Sequence, residues 1–555
     1  MAFRCNNCNG SVVFDIASQR LKCENCGSQF DPATYRVRDE SAGSGEAAPA
    51  VFECGGCGAE LEAPANEPPA ACPYCGGDEM TRQDRETPVP LTLFECQNCG
   101  AALESTEDSM IGVCPYCGGQ SMLKTGTEQS GGVERLIPFQ VTKEKCAEVY
   151  GGFAKNVRYL PKELKDPAYL QNFTGIYMPF FEYDVEFGRS HISGTKTVES
   201  NSKYDVVNTY QIDAAMDGEC RGVPYDASKY LDDEISDRLL PFRTEKAVPY
   251  HPAYLSGFYA DTATVDPKIY YEDAAADASA DVVAEVAKNV SQEHNITVDR
   301  SSAHVDATAK GHHSVLFPMW FLTWRRGDRV AYAVVNGESG KIVSDLPVDT
   351  KSFLLGCGVI SVILFLLLEL FFQPTPTLTS MLGLAGALVM ALAVRSGAKK
   401  LYEKHTHAND KGWNGGNAGT KRKTDKKAGK FTIVIVVVLV LFGSFIVSAG
   451  TSVTTVAFGV GVVALLVAVV SLLTMAKWRE ADGVGEAILS MFVILLAVLL
   501  NLAIVVISPV NDGWYYLGDA VSIVGLLLAS AGMLRTFNKS TTRPLPKLFG
   551  REEVR

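Results

Sequence analysis

Residues 52–62 read FECGGCGAELE and residues 94–104 read FECQNCGAALE, and the two repeats continue to CPYCGG at 72–77 and 114–119. A repeat of about thirty residues is too short to bury a core of its own, so what it repeats is the device that folds it. That device is a pair of C-x-x-C turns. Cys54/Cys57 stand with Cys72/Cys75, Cys96/Cys99 stand with Cys114/Cys117, and fourteen residues separate the pairs in both sets. A diverged third copy opens the chain, where Cys5/Cys8 and Cys23/Cys26 keep the same gap and Phe3 keeps its place two residues before the first cysteine.

The spacing follows from metal chemistry. One C-x-x-C turn directs two thiolates to one side, and two such turns on neighbouring hairpins complete the tetrahedron that Zn2+ prefers. The residue after the second cysteine of a turn needs a positive φ, and Gly27, Gly58, Gly76, Gly100 and Gly118 occupy that place, with Asn9 as the substitute in the first copy. Bound zinc supplies the folding energy the small core lacks, about 10–16 kcal/mol apparent in finger peptides. Twelve of the fifteen cysteines belong to these turns, and Cys146, Cys220 and Cys357 are scattered singly. The opening MAFRCNN has no apolar run resembling a signal peptide, which predicts a reducing compartment and metal in place of disulfides. Three structural four-cysteine Zn2+ sites are therefore expected. A closed site leaves no open coordination position, so hydrolytic zinc catalysis is not expected.

Residues 3–122 resemble the zinc-ribbon superfamily, of the type seen in transcription factor B and in rubredoxin-like knuckles. The resemblance implies three small β ribbons, at 1–37, 51–80 and 92–123, of a kind that binds nucleic acid or protein. Charge separates these two partners. Residues 1–130 carry 8 basic and 19 acidic side chains, and each zinc tetrathiolate adds roughly −2. Phosphate is repelled by such a head, so a protein partner is favoured over nucleic acid. The modest basic group is Arg4, Arg20, Lys22, Arg36 and Arg38. Ribbons that serve only as folded spacers are the plainer alternative. The stretches RDESAGSGEAAPA at 38–50, TRQDRETPVP at 81–90 and KTGTEQSGG at 124–132 read as tethers, which predicts ribbons that move semi-independently.

From 133 to 351 the composition becomes that of an α+β domain, with helices expected over 143–156 and 272–294. Strands are expected over 176–187, 204–214, 314–325 and 329–335, the last turning through NGESG at 336–340 into 341–344. The runs IYMPFFEYDV at 176–185 and LFPMWFLTWR at 316–325 both hold a proline among aromatics. Proline inside a strand points to an edge or a bulge; core packing of these aromatics is favoured over an exposed groove. The order IPFQVTKEK, GIYMPFFEYD, PAYLSGFYAD, FPMWFLTW and VNGESGKIVSDLP ahead of a membrane span resembles a family of uncharacterised bacterial zinc-ribbon multi-pass membrane proteins. That resemblance covers most of 1–351 and brings no established activity.

Catalytic signatures are missing. No G-x-x-x-x-G-K-[ST], H-E-x-x-H or G-x-S-x-G occurs, and no G-x-G-x-x-G opens a helix after a strand. His312 and His313 read as a solvated turn and not as metal ligands, and Cys146 and Cys220 read as ordinary residues. The chain is therefore expected not to be an enzyme.

Six apolar runs follow, at 353–372, 378–394, 431–449, 453–475, 487–507 and 517–534, each near the ~20 residues that cross a bilayer; five crossings is the alternative count. Lys and Arg alternate between the loops. The segments after the second and fourth runs and the tail carry eleven, two and six, while those after the first, third and fifth carry none. The positive-inside rule then places the N-terminal domains, the 395–430 loop and the 537–555 tail in the cytoplasm of a cell-membrane protein whose bundle spans 352–536. The ends of that loop are expected on anionic headgroups or as simple topology determinants. Within the runs the expected polar groups are Glu369 and Asn501, a scarcity that counts against ion-coupled transport. Gly383, Gly386, Ala457 and Gly461 suit close helix packing and a homo-oligomer.

The chain thus reads as multidomain: three small β zinc ribbons, an α+β soluble domain and an α-helical transmembrane bundle. The function expected is a membrane-anchored adaptor whose zinc head recruits a protein partner. A transporter or channel with a regulatory head, and a membrane tether for nucleic acid, are the alternatives.

Overall fold

The computed structural model describes residues 3–35, 49–55, 60–64, 71, 73, 75, 77, 80–83, 90–106, 113–120, 122–129, 132–200, 204–371, 375–415 and 452–545. The first ribbon is β1 (Val12–Asp15), β2 (Arg20–Cys23) and β3 (Gln29–Phe30), a sheet of its own. The second is β4 (Pro49–Cys54), β5 (Glu60–Pro64) and β6 (Met80–Gln83), also a separate sheet with β4 central. The third is β7 (Pro90–Cys96), β8 (Ala102–Ser105) and β9 (Met122–Gln129). It does not stand apart. A bridge from Glu104 to Ala260 joins it to the large sheet of the α+β domain.

That sheet adds β10 (Arg135–Leu136), β11 (Thr174–Ser200), β12 (Asp205–Asp226), β13 (Val248–Pro249), β14 (Tyr259–Ala260), β15 (Thr297–Arg326), β16 (Arg329–Asn336), β17 (Ile342–Asp345) and β18 (Arg543–Pro544). β11 and β15 run antiparallel side by side at its centre, so the two aromatic runs are direct neighbours, with Tyr177 opposite Pro318 and Pro179 opposite Leu316. Neither proline marks an edge. Pro179 lies one residue past the end of the ladder to β12, and Pro318 one residue past the end of the ladder to β16, where a missing N–H costs those ladders nothing.

Alternation along these strands builds two cores. Tyr177, Leu316, Trp320, Leu322, Ala331 and Ala333 face one side, and Ile176, Met178, Phe180, Phe317, Met319 and Val334 the other. The first face receives ribbon one through Phe3, Val12, Phe14, Leu21 and Tyr35, together with α1 (Lys143–Asn156). The second receives ribbon three through Phe94, Leu103, Tyr116 and its four cysteines, together with α2 (Asp233–Leu239). Two of the three ribbons are thus walls of the α+β core, contrary to the expectation of tethered, semi-independent units. The linker sequences predict slack, but the apolar faces of these ribbons find a larger apolar surface to cover.

Before Val315, β15 pairs only with β11 among the described residues, and with β12 they extend as a three-stranded arm roughly 50–60 Å long. α3 (Tyr271–His294) lies along this arm, and Ser279 donates to the Val305 carbonyl at 3.1 Å.

The chain then enters α4 (Thr350–Phe371), α5 (Pro376–His405), α6 (Val453–Ala476), α7 (Val484–Ile507) and α8 (Gly513–Thr541). The last four are long and apolar enough to cross a membrane, and α4 is apolar over Thr350–Ile363. The expected run at 431–449 lies outside the described residues. Gly461 approaches Leu384 and Trp478 stacks on Tyr402, so α5 and α6 run parallel; Gly532 meets Ser490 and Gly518 meets Ile504, so α7 and α8 run antiparallel. One end of the bundle meets the sheet. Lys404 pairs with Asp345, and Arg329 reaches Asp482 at 2.6 Å and the carbonyls of Lys539 and Thr542 at 2.8 and 2.9 Å.

Candidate metal centres

Four knuckles share one backbone geometry. The amide after each knuckle returns to the carbonyl of its first cysteine, from Asn9, Gly27, Gly100 and Gly118, at 2.7–3.0 Å. Those four residues have φ of 58°, 74°, 75° and 67°, the left-handed turn that the sequence pattern requires. Gly58 and Gly76 lie outside the described residues.

Each pair of knuckles gathers its thiols. Cys5 and Cys26 Sγ are 3.6 Å apart and Cys8 and Cys23 3.4 Å; in ribbon three Cys96 and Cys117 are 3.5 Å apart and Cys99 and Cys114 3.8 Å. A disulfide needs about 2.05 Å, and all eight thiols are free. Four sulfurs about 2.3 Å from one ion stand about 3.8 Å from each other, so these distances are those of a tetrathiolate cage drawn slightly inward. Both quartets could hold a metal ion. Donors to sulfur also fit thiolate: the amides of Asn7 and Gly119 reach Cys5 and Cys117 Sγ at 3.4 Å, and Asn98 Nδ2 reaches Cys117 Sγ at 3.3 Å. The Ser28 hydroxyl and amide pull Cys26 down to about 6, and contact with Cys114 pulls Cys117 down to about 6. Contacts among the same thiols raise Cys8, Cys99 and Cys114, so the protons are shared unevenly within each quartet.

The quartets differ in setting. All four cysteines of ribbon three are buried, whereas in ribbon one Cys5 and Cys23 are buried and Cys8 and Cys26 exposed. The knuckle Cys114–Cys117 is seated against the sheet, where Tyr332 donates to the Tyr116 carbonyl at 2.5 Å and Thr323 donates to the Pro115 carbonyl. Ribbon one is held by Ser256, whose carbonyl accepts from Phe14 N at 3.1 Å, and by Gln19 Nε2 on the Phe139 carbonyl at 2.7 Å. Of the second quartet, Cys54 ends β4 and Cys75 is exposed, while Cys57 and Cys72 lie outside the described residues.

Several polar groups escaped sequence reasoning because nothing local marks them. His312 and His313 are not in a turn; they sit inside β15, and His313 lies 2.7 Å from Glu134 and 3.3 Å from Asp184. Beside it Glu182, within the FFEYD run, is buried, its Oε1 has no hydrogen-bond partner among the described residues, and burial pushes its carboxyl up to about 7 against the pull of Arg135. Burial holds the thiols of Cys146 and Cys220 up as well, in keeping with ordinary structural cysteines. In the bundle Asn501 is fully buried and donates to the Gly518 carbonyl and the Ser522 hydroxyl at 3.2 and 2.6 Å. Asp519, inside the run at 517–534, adds a charge that the count of Glu369 and Asn501 omitted, and its Oδ1 has no partner among the described residues.

A curated relative from Bacillus subtilis (strain 168), described as uncharacterized protein YdjG, is 21% identical over 219 residues, 39% of this chain and 64% of the relative. The chain therefore spans less than two thirds of that relative's length, and the relative's description assigns it no activity. No family model matches the chain, and no solved structure matches it.

Proposed function

We propose that the protein is a membrane-anchored adaptor in which structural zinc fixes an α+β domain at the cytoplasmic face so that its arm can capture a protein partner. The observation that carries this reading is the arm itself. Its far end exposes Val198, Tyr204 and Val207 at 54, 59 and 50%, large apolar groups on a lever that nothing in the core requires. Zinc is the metal that a closed cage of four thiolates selects in a reducing compartment, and the repeat in sequence extends the same assignment to Cys54, Cys57, Cys72 and Cys75.

Topology supports the cytoplasmic placement. α5 and α6 both end on the side of the sheet, where Lys404 pairs with Asp345 and Asp482, just past α6, takes Arg329. The ends of α5, α6 and α8 that lead into segments rich in Lys and Arg thus share the sheet side, the side the positive-inside rule assigns to the cytoplasm; six crossings is the count that the apolar runs of the sequence favour.

The test is a photoactivatable residue at Tyr204 of the full-length protein in its native cells, compared with one at exposed Glu148 on α1. The adaptor reading expects one protein crosslinked from position 204 and not from 148, and lost on Val207→Asp. Adducts only to lipid, or equal adducts from both positions, would refute it. A transport reading is favoured by the buried pair Asn501 and Ser522 and by Asp519 on the helix that carries Ser522; cation flux in liposomes that Asp519→Asn abolishes would establish it in place of the adaptor.

A further inference from the structure

Tyr159 is where the α+β domain touches the first apolar helix. Its backbone takes a φ of 60°, which an aromatic residue adopts only when its surroundings hold it there. Three contacts do so. Its carbonyl accepts from Asp349 N at 2.6 Å, its ring meets Phe353 edge-on with 5.4 Å between centroids, and its hydroxyl lies where a Cβ on Gly356 would stand. Phe353 and Gly356 belong to the first two turns of α4, which is apolar over Thr350–Ile363, so this tyrosine sits at the depth where the chain enters the bilayer. Tyrosine is enriched at that level because its ring is apolar and its hydroxyl polar.

Around this point the charge of the domain changes sign. Residues 131–351 carry 24 basic and 33 acidic side chains, yet the stretches 155–166, 325–328 and 349–351 together carry seven and four. Four of these cations are tied to Tyr159. Arg158 precedes it, and Lys165 Nζ donates to the Val157 carbonyl at 3.1 Å. Arg326, at the turn from β15 to β16, and Lys351, in the first turn of α4, both bear on Asp349. Asp349 is itself engaged as the cap of α4, accepting from Ser352 N at 3.1 Å. All four cations are exposed, and none is in an ion pair among the described residues. The same β15–β16 turn puts Arg329 on the Lys539 and Thr542 carbonyls at the end of the bundle, which fixes its level.

Topology signals do not account for these charges. Flanking Lys and Arg set orientation within about 15–20 residues of a span, and Arg158, Lys165 and Arg326 stand further than that ahead of Thr350. Only the fold brings them to the membrane. Unpaired cations gathered at headgroup level on an otherwise acidic domain complement a layer of negative charge.

We propose that Arg158, Lys165, Arg326 and Lys351 form a binding surface for anionic phospholipid headgroups, which sets the orientation of the domain on the bilayer. The proposal rests on the membrane anchoring in the reading above and not on the protein partner. Guanidinium groups take phosphate through paired N–H donors and lysines take it as point charges. Each cation near an anionic surface is worth about a factor of five in association.

The experiment places full-length, zinc-loaded protein in nanodiscs of phosphatidylcholine alone or mixed with phosphatidylglycerol, and follows amide hydrogen exchange of 155–166 by mass spectrometry. Phosphatidylglycerol is expected to slow that exchange about tenfold or more, and about 0.5 M NaCl to reverse the effect. Arg158→Ala combined with Arg326→Ala should remove most of the protection. The same positions as lysine should keep it, as should Lys288→Ala, which alters an exposed cation of α3. Equal exchange in the two lipids, protection by inorganic phosphate in phosphatidylcholine discs, or equal loss from Lys288→Ala would each overturn the proposal. If the alanine pair does not fold, the lipid and salt comparisons on the unaltered protein decide. Discs expose both leaflets, so the result is independent of which side of the cell membrane the domain occupies, and a failed crosslink from position 204 would leave it standing.

Discussion

Tyr116, between the last two cysteines of the third ribbon, donates its hydroxyl to Asp261 Oδ2 at 2.6 Å, and both residues are buried. The same carboxylate oxygen accepts from Ser228 at 2.7 Å. The knuckle is thereby fastened through the side chain it places between its own cysteines.

Tyr116→Phe removes one donor from a buried carboxylate and leaves the cage untouched. A loss of about 1.5–3 kcal/mol of stability is expected. Thermal unfolding should shift down by several degrees while metal content, measured by mass spectrometry of acid-released ions, stays at the value of the unaltered protein. A fall in metal content would mean that the tyrosine organises the cage directly.

Cys96→Ser and Cys54→Ser should behave differently although they alter equivalent positions of the repeat. Structural zinc is worth about 10–16 kcal/mol apparent, which exceeds the ~5–15 kcal/mol stability of a typical domain. Ribbon three is one wall of the large core, so Cys96→Ser is expected to unfold the α+β domain, read from the fluorescence of Trp320 and Trp324. Ribbon two forms a separate sheet, and Cys54→Ser should lose one metal equivalent with the main transition unchanged. Equal damage from both would contradict the wall assignment.

Glu182 gives the domain a pH dependence. Its carboxyl is raised from 4.5 to about 7 in the fold, chiefly by burial. The folded state thus holds the proton more tightly than the unfolded chain, so this residue costs nothing at pH 4 and its penalty grows as pH rises from about 4.5 to 7. Glu182→Gln should match the unaltered protein at low pH and exceed it at pH 8 by on the order of 2–3 kcal/mol. His313 works in the same direction, because hydrogen bonding to Glu134 raises its imidazole and the stability it lends is lost as pH climbs past that raised value. Calorimetry at several pH values checks both signs.

Two glycines of α6, two residues apart, separate packing from composition. A Cβ on Gly461 would come within 2.7 Å of Leu502 and 3.2 Å of Leu384, whereas one on Gly459 meets nothing within 4 Å. Gly461→Val is expected to cost about 1–3 kcal/mol by overpacking, and Gly459→Val to be near neutral. Retention of a folded, monodisperse peak after heating in detergent measures the difference. Loss from Gly459→Val alone would point to a surface that another helix covers.

The cysteine spacing and its glycine punctuation sufficed to locate the two quartets that the fold gathers, because a C-x-x-C knuckle is a local object whose shape depends on residues within five positions. Hydrophobic run length likewise placed α5, α6, α7 and α8 to within a few residues, except that α5 and α8 extend well past the bilayer-length runs as polar turns that meet the sheet. The helix at 143–156 and the turn at 336–340 were legible for the same reason, being set by caps, periodicity and glycine.

What only the tertiary structure decided is where the ribbons belong. Alternation along β11 and β15 makes both faces of one sheet apolar, and each face can be satisfied by any sufficiently apolar surface; the chain uses ribbon one for one face and ribbon three for the other. Nothing in residues 1–123 announces that choice, nor does any local pattern announce that Glu182 and His313, more than 100 positions apart in sequence, stand opposite each other on adjacent strands. Pairing between distant strands is a property of the packed whole, because its energy comes from surface buried between segments that meet only after the chain has folded.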